Sequence, residues 1–362
     1  MHIKSRFLKL IVCYNCYEVK KMDLEYYKEV AKRVFEKESP TGYTEECINE
    51  IKKILDELGY ESTKSNKGNL KVFLEGKNHD YKRATSAHVD TLGLMVRSIK
   101  SNGMLALTTL GGPLVPTLDG EYCHIVTRDG RKYSGTILST SPSVHVYADS
   151  KSKERSIDNI EVRIDEVVTT YDDVIKLGIQ NGDIVLIDPK FTITESGFIK
   201  SRFIDDKGSV CVLLTVLKWF KDHKKMPTFD TEFYFVVHEE VGHGASVISD
   251  DIYEFVTVDM GCIGSDLSGS EYKVSIAAKD SGGPYDYELT TRLINIAKEC
   301  NINYVVDIFP FYGSDIGAAY RSGKDIKGAL IGPGVHASHG MERTHLKSIM
   351  NTCRLLSEYL TR

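Results

Sequence analysis

The chain has 362 residues, 41% of them hydrophobic, with 46 Lys and Arg against 51 Asp and Glu for a formal net charge of −5. That length can bury a large core and predicts two domains rather than one. The balance of charge offers no basic stripe for nucleic acid, and no apolar run reaches transmembrane length, so neither nucleic acid nor membrane is expected as a partner.

Residues 1–21 carry Lys4, Arg6 and Lys9 around the short apolar run Leu8 to Val12, but no small-residue cleavage site follows. Cys13-x-x-Cys16 has no second pair to complete a zinc ribbon. Asp23-Leu24-Glu25 opens a clean amphipathic helix, so Met22 is the expected start of the native protein and 1–21 an extension. Residues 23–38 and 44–58 read as helices, the second ending before Gly59, and 70–76 and 82–98 read as strands. Between 100 and 195 helical periodicity fades, and short apolar runs alternate with Gly and Pro turns. Asp129-Gly130 there is a hairpin signal. These residues are expected to form a small all-β, barrel-like insertion. It divides an α/β domain made of 22–99 and 196–362, in which a mainly parallel sheet is flanked by helices. The eight cysteines, at 13, 16, 47, 123, 211, 262, 300 and 353, are scattered, several in apolar stretches. That pattern fits reduced core residues of a cytoplasmic protein.

Five clusters carry the chemistry. Ser86-Ala87-His88-Val89-Asp90 sets a histidine and an aspartate two apart; on an extended segment both face one side. His88 can then ligate a metal while Asp90 orients a ligand, although the same pair also occurs as surface decoration. Asp205-Asp206-Lys207-Gly208 precedes the apolar run Val210 to Phe220, which reads as a helix that either acid could cap. His238-Glu239-Glu240-Val241-Gly242 follows the buried-strand pattern Thr231 to Val237. Acids at the carboxyl end of a strand are where open α/β sheets collect functional groups. Adjacent glutamates also offer two jobs, one ligating and one handling protons. Phe255-Val256-Thr257-Val258-Asp259 again ends a strand in an acid, which could equally be a turn residue before glycine. Last, Leu330 to Gly334 leads into a segment where His336, His339 and His345 compete for a ligand role that spacing does not decide. Imidazoles with carboxylates and no cysteine favour zinc, cobalt or manganese, and the inventory suits two ions sharing a carboxylate.

In this order the motifs resemble the dinuclear-metal aminopeptidases of the glutamyl aminopeptidase and tetrahedral aminopeptidase family, whose members are often labelled cellulase or endoglucanase M. The resemblance runs from about Met22 to the C-terminus. It includes Ser39-Pro40-Thr41-Gly42, Gly111-Gly112 and Tyr312-Gly313-Ser314-Asp315-Ile316-Gly317-Ala318. It implies that Asp205 bridges two divalent ions, Zn2+ or Co2+. His88 and Glu240 would complete one set, and Asp259 and His339 the other. It further implies that Glu239 is the general base and that Asp90 orients a metal-binding histidine. The chain departs from the family in Thr91, where a Glu is usual, in Asp205-Asp206-Lys207 for Asp-Asp-Arg, and in Ser338-His339-Gly340 for His-Ser-Pro. The implied activity is removal of N-terminal residues from short peptides by a homo-oligomer, with a dodecamer as the family form. A carboxypeptidase or deacylase on the same scaffold is the alternative. It would need a cation to grip a substrate carboxylate, and Arg321 and Arg343 are the candidates.

Overall fold

The computed structural model describes residues 22–362; the expectations for 1–21, including Cys13 and Cys16, lie outside the described residues. The helix Leu24–Phe35 starts where Asp23 accepts a hydrogen bond from the Tyr26 amide at 2.9 Å. It buries Tyr27, Val30, Ala31, Val34 and Phe35, the one-sided spacing of an amphipathic helix. The helix Glu45–Glu57 does the same with Cys47, Ile48, Ile51, Ile54 and Leu55. The helix Ile204–Asp222 has no polar face over most of its length. Every residue from Ile204 to Leu217 is buried, so it lies within the core rather than upon it.

Ten described strands form one sheet. Its centre is parallel, in the order Phe229–Val236, Asn78–His88, Ile252–Val258, Lys327–Val335. Antiparallel strands extend it on both sides, Leu70–Leu74 beside Phe229–Val236 and Val274–Asp280 beside Lys327–Val335. The central strands are buried along nearly their whole length, as strands covered on both faces must be. The large apolar core packs helices Leu24–Phe35, Ile204–Asp222, Tyr287–Glu299 and Leu346–Leu360 against this sheet.

The second unit is a closed six-stranded antiparallel barrel, Gly93–Ile99, Leu105–Leu110, Ile160–Ile164, Lys132–Ser139, Tyr122–Val126 and Ile184–Ile187 in that order. The Asp129-Gly130 hairpin links two of these strands, with Gly130 at φ 85°. The barrel has its own core, including Leu94, Val96, Leu107, Ile125, Ile137 and Val162. Its first strand begins at Gly93, ahead of the expected boundary at 100. The run 82–98 is two strands in two different sheets, separated at 89–92. Apolar content is high on both sides of the break, so composition does not mark it. Tertiary pairing does: the Val89 amide donates to the Val236 carbonyl, and the Thr91 amide to the Ser39 carbonyl.

Candidate metal centre

The four central parallel strands end together, and the expected site residues sit at those ends. His88 closes Asn78–His88, and Glu239 and Glu240 form a 3-10 turn after Phe229–Val236. Asp259 follows Ile252–Val258, and His339 lies in the turn after Lys327–Val335. Asp205 enters from the first turn of Ile204–Asp222, where Asp205 and Asp206 have non-helical dihedrals and share a cis peptide bond.

The side chains converge. His88 Nε2 lies 3.1 Å from Asp205 Oδ1 and 3.8 Å from Glu239 Oε2. His339 Nε2 lies 3.5 Å from Asp205 Oδ2 and 3.8 Å from Glu240 Oε2. Potential ligand atoms of His88, Asp205 and Glu240 fall within 4.8 Å of one another, as do those of His88, Asp206 and Asp259. His339 is therefore the late histidine brought to the site. His345 instead caps the final helix, accepting from the Lys347 amide and packing on Phe198, and His336 is exposed.

Electrostatics mark the cluster as short of positive charge. Burial pushes the Glu240 carboxyl up to about 8, with the Asp205 charge adding to the shift. Asp259 is raised to about 7 by burial and then by Asp205. Burial lifts Glu239 well above the usual range; His88 opposes this, while Asp259, Asp315 and Glu240 add to it. Asp205 goes the other way: burial opposes its charge, but hydrogen bonding to His339 and His88 holds it below the ordinary carboxylate range. For His339, burial is outweighed by Asp205 and Glu240, which carry it to about 10. Among the described residues, no lysine or arginine pairs with Asp205, Glu239, Glu240 or Asp259. The buried oxygens Glu240 Oε1 and Asp206 Oδ1 have no hydrogen-bond partner. Unneutralised buried carboxylates with orphaned oxygens are costly unless a cation completes them, so this donor set fits divalent metal.

The surroundings hold these groups in place. His88 Nδ1 donates to the Asp90 backbone carbonyl at 2.8 Å, whereas the Asp90 carboxylate is 3.8 Å away. That carboxylate instead accepts the amides of Glu239 (3.0 Å) and Glu240 (3.3 Å) and the Thr41 hydroxyl (2.7 Å). The expected role of the Asp90 side chain, orienting a histidine, thus passes to its backbone. The side chain secures the glutamate turn, because the strand ends at His88 and Asp90 no longer shares its face. Thr41 of Ser39-Pro40-Thr41-Gly42 buttresses this arrangement. Asp315 plays a parallel part, accepting from Ser86 Oγ at 2.9 Å and the Ala245 amide at 2.8 Å. A Cβ at Gly244 would fall 1.9 Å from Asp315 Oδ1, so only glycine fits there. From the barrel side, the Gly112 carbonyl lies 2.8 Å from His339 Nδ1. Sequence reasoning missed Glu342. It is fully buried and accepts the Asp205 amide through Oε2 and the His339 amide through Oε1, both at 2.9 Å. The one available signal was an acid three residues after His339.

Two clefts open onto the cluster. One, of about 250 Å3, is lined by Asp205, Glu239, Asp259, Ser314, Arg321 and His339. The other, of about 730 Å3, shares Asp205, Tyr312 and His339 and adds the apolar side chains of Leu114, Met260 and Phe309. Arg343 points elsewhere: it pairs with Glu271 at 2.8 Å and covers the Phe198 ring.

Comparison with known proteins accords with this architecture. The profile of the M42 glutamyl aminopeptidase family matches residues 68–355. YhfE of Bacillus subtilis, provisionally named an aminopeptidase, is 44% identical over 333 residues, covering 92% of this chain and 96% of its own. The solved TET aminopeptidase of Thaumarchaeota archaeon SCGC AB-539-E09 superposes with a TM-score of 0.84 at 21% identity, covering 93% of this chain and 97% of that one. The dodecameric PhTET1-12s superposes at 0.81 with 21% identity, covering 94% and 100%. This chain belongs to the M42 glutamyl aminopeptidase family.

Proposed function

We propose that the protein is a dinuclear metal-dependent aminopeptidase that releases N-terminal residues from short peptides. The observation that carries this reading is the buried acidic cluster, in which two imidazoles and several carboxylates converge and, among the described residues, no lysine or arginine neutralises them. Asp205 would be shared between two ions. We assign His88 and Asp259 to one and Glu240 and His339 to the other. This division departs from the one expected by resemblance, which paired His88 with Glu240 and Asp259 with His339. Its support is that Glu240 lies in reach of both His88 and His339, while Asp259 is grouped with His88 alone among the described residues, which leaves Glu240 to His339. Two divalent cations, Zn2+ or Co2+, would supply Lewis acidity and make a water nucleophilic near neutral pH.

The chain's own residues do the rest. Glu239 lines the polar cleft beside this cluster, and its raised carboxyl is suited to accepting a proton from the attacking water and delivering it to the departing amine. Asp90 fixes the backbone that carries Glu239. The surrounding carboxylates give a free, protonated amino terminus a favourable place, which an acetylated terminus lacks. A homo-oligomer is proposed by analogy with the dodecameric relative.

Arg321 supports a second reading. It lines the polar cleft and could hold a substrate's terminal carboxylate, as a carboxypeptidase requires. The deciding experiment compares a short peptide with its N-acetylated form in metal-stripped protein, before and after adding Co2+. Metal-dependent release of the first residue from the free peptide alone is expected. Release of the last residue from the acetylated peptide would establish the carboxypeptidase, and loss of the acetyl group a deacylase.

A further inference from the structure

We propose that Glu342 is a positioning residue that tunes the His339 metal site by clamping Asp205 and His339 together. This role rests on the ligand assignment proposed above. Glu342 opens the strand Glu342–His345, which pairs with Phe198–Ser201, so its backbone is fixed by a sheet. From there its two oxygens divide between two amides, that of the shared ligand Asp205 and that of His339. These residues are 134 apart in sequence and on different elements, so one carboxylate sets the distance between two ligands.

The need for a clamp is visible in the backbone. Ala337 and His339 both take left-handed conformations, at φ 59° and 64°. Such residues are strained and persist only where surrounding bonds over-determine them. The Glu342–His339 hydrogen bond is one such bond, and the carbonyl of Gly112 holds the ring from the other side. A neutral capping side chain could satisfy one amide. Two amides converging on two oxygens call for a carboxylate, and among the described residues no lysine or arginine pairs with this one.

The test is equilibrium dialysis of the full chain against Co2+, with the folded state followed by circular dichroism. Wild type should bind two ions. Glu342→Gln retains the volume but offers one acceptor and places an NH2 against the other amide. It should weaken the ion held by His339 about tenfold or more, and the other ion, which shares only Asp205 with it, by less. His339→Ala should weaken the same ion, and adding Glu342→Gln to it should cost little further. A Glu342→Gln chain that binds both ions as wild type does overturns the proposal, as does full additivity with His339→Ala. If Glu342→Gln does not fold, Glu342→Asp takes its place with the same criteria; if neither folds, Glu342 is a core residue and the assignment falls. Wild type that fails to bind two ions instead defeats the dinuclear reading itself.

Discussion

The rim of the sheet and the wall of the barrel treat buried charge in opposite ways. In the barrel domain, Glu121 is ion-paired with Arg202 and Lys190 and Asp183 with Arg128, and the interior is largely aliphatic. At the sheet rim, Asp205, Asp206, Glu239, Glu240 and Asp259 crowd together and, among the described residues, meet two histidines and no lysine or arginine. One region is arranged to be stable by itself. The other carries an excess of acid that a cation would balance, the usual compromise of a functional site.

That contrast can be broken most sharply at Glu239. Glu239→Gln should lower turnover by about 10²–10⁴-fold while metal content stays at wild-type level, measured by peptide hydrolysis and metal analysis. Rates within tenfold of wild type would remove Glu239 from the chemistry. On the barrel side, Leu94→Ala deletes a fully buried side chain and should cost about 2–5 kcal/mol of stability, with kcat for the folded enzyme unchanged. If kcat fell in step with stability, the two regions would not be separable. Asp90→Asn keeps the shape but weakens the anchor of the Glu239–Glu240 turn. A loss of about ten- to a hundredfold in kcat is expected, with a smaller change in metal content.

The smallest effect is on the pH dependence of stability. In metal-free protein Glu240 and Asp259 titrate at about 8 and about 7, far above their unfolded values of roughly 4. A raised native pKa gives stability that is complete below the unfolded value and lost as pH rises through the native one. The metal-free chain should therefore lose stability between about pH 4 and 8. Metal replaces those protons, so the gain in Tm on adding Co2+ should be larger at pH 8 than at pH 5. An equal gain at both values would mean that the acids are not the ligands.

The strand-terminal acids were legible in the sequence. Glu239-Glu240 and Asp259 each close an apolar run, and the carboxyl ends of strands are where an open α/β sheet gathers its functional groups. The helices Leu24–Phe35 and Glu45–Glu57 were equally plain from their periodicity. What stayed hidden depends on partners distant in the chain. The break at 89–92 is made by hydrogen bonds to Val236 and Ser39. The work of the Asp90 carboxylate is defined by amides 149 and 150 residues away. Glu342 offered only its place three residues after His339, since its meaning comes from Asp205 at a separation of 137. Which of His336, His339 and His345 lies beside the carboxylates is likewise set by the fold and not by spacing.

The carbonyl of Gly112 belongs to the inserted domain, yet it fixes which nitrogen of His339 carries the proton. The insertion is therefore not a detachable accessory. A chain trimmed to the sheet and its helices would keep all five expected ligands but free one imidazole to rotate and change tautomer. Transplanting the barrel between relatives would succeed only where the graft returns that single oxygen to the same place.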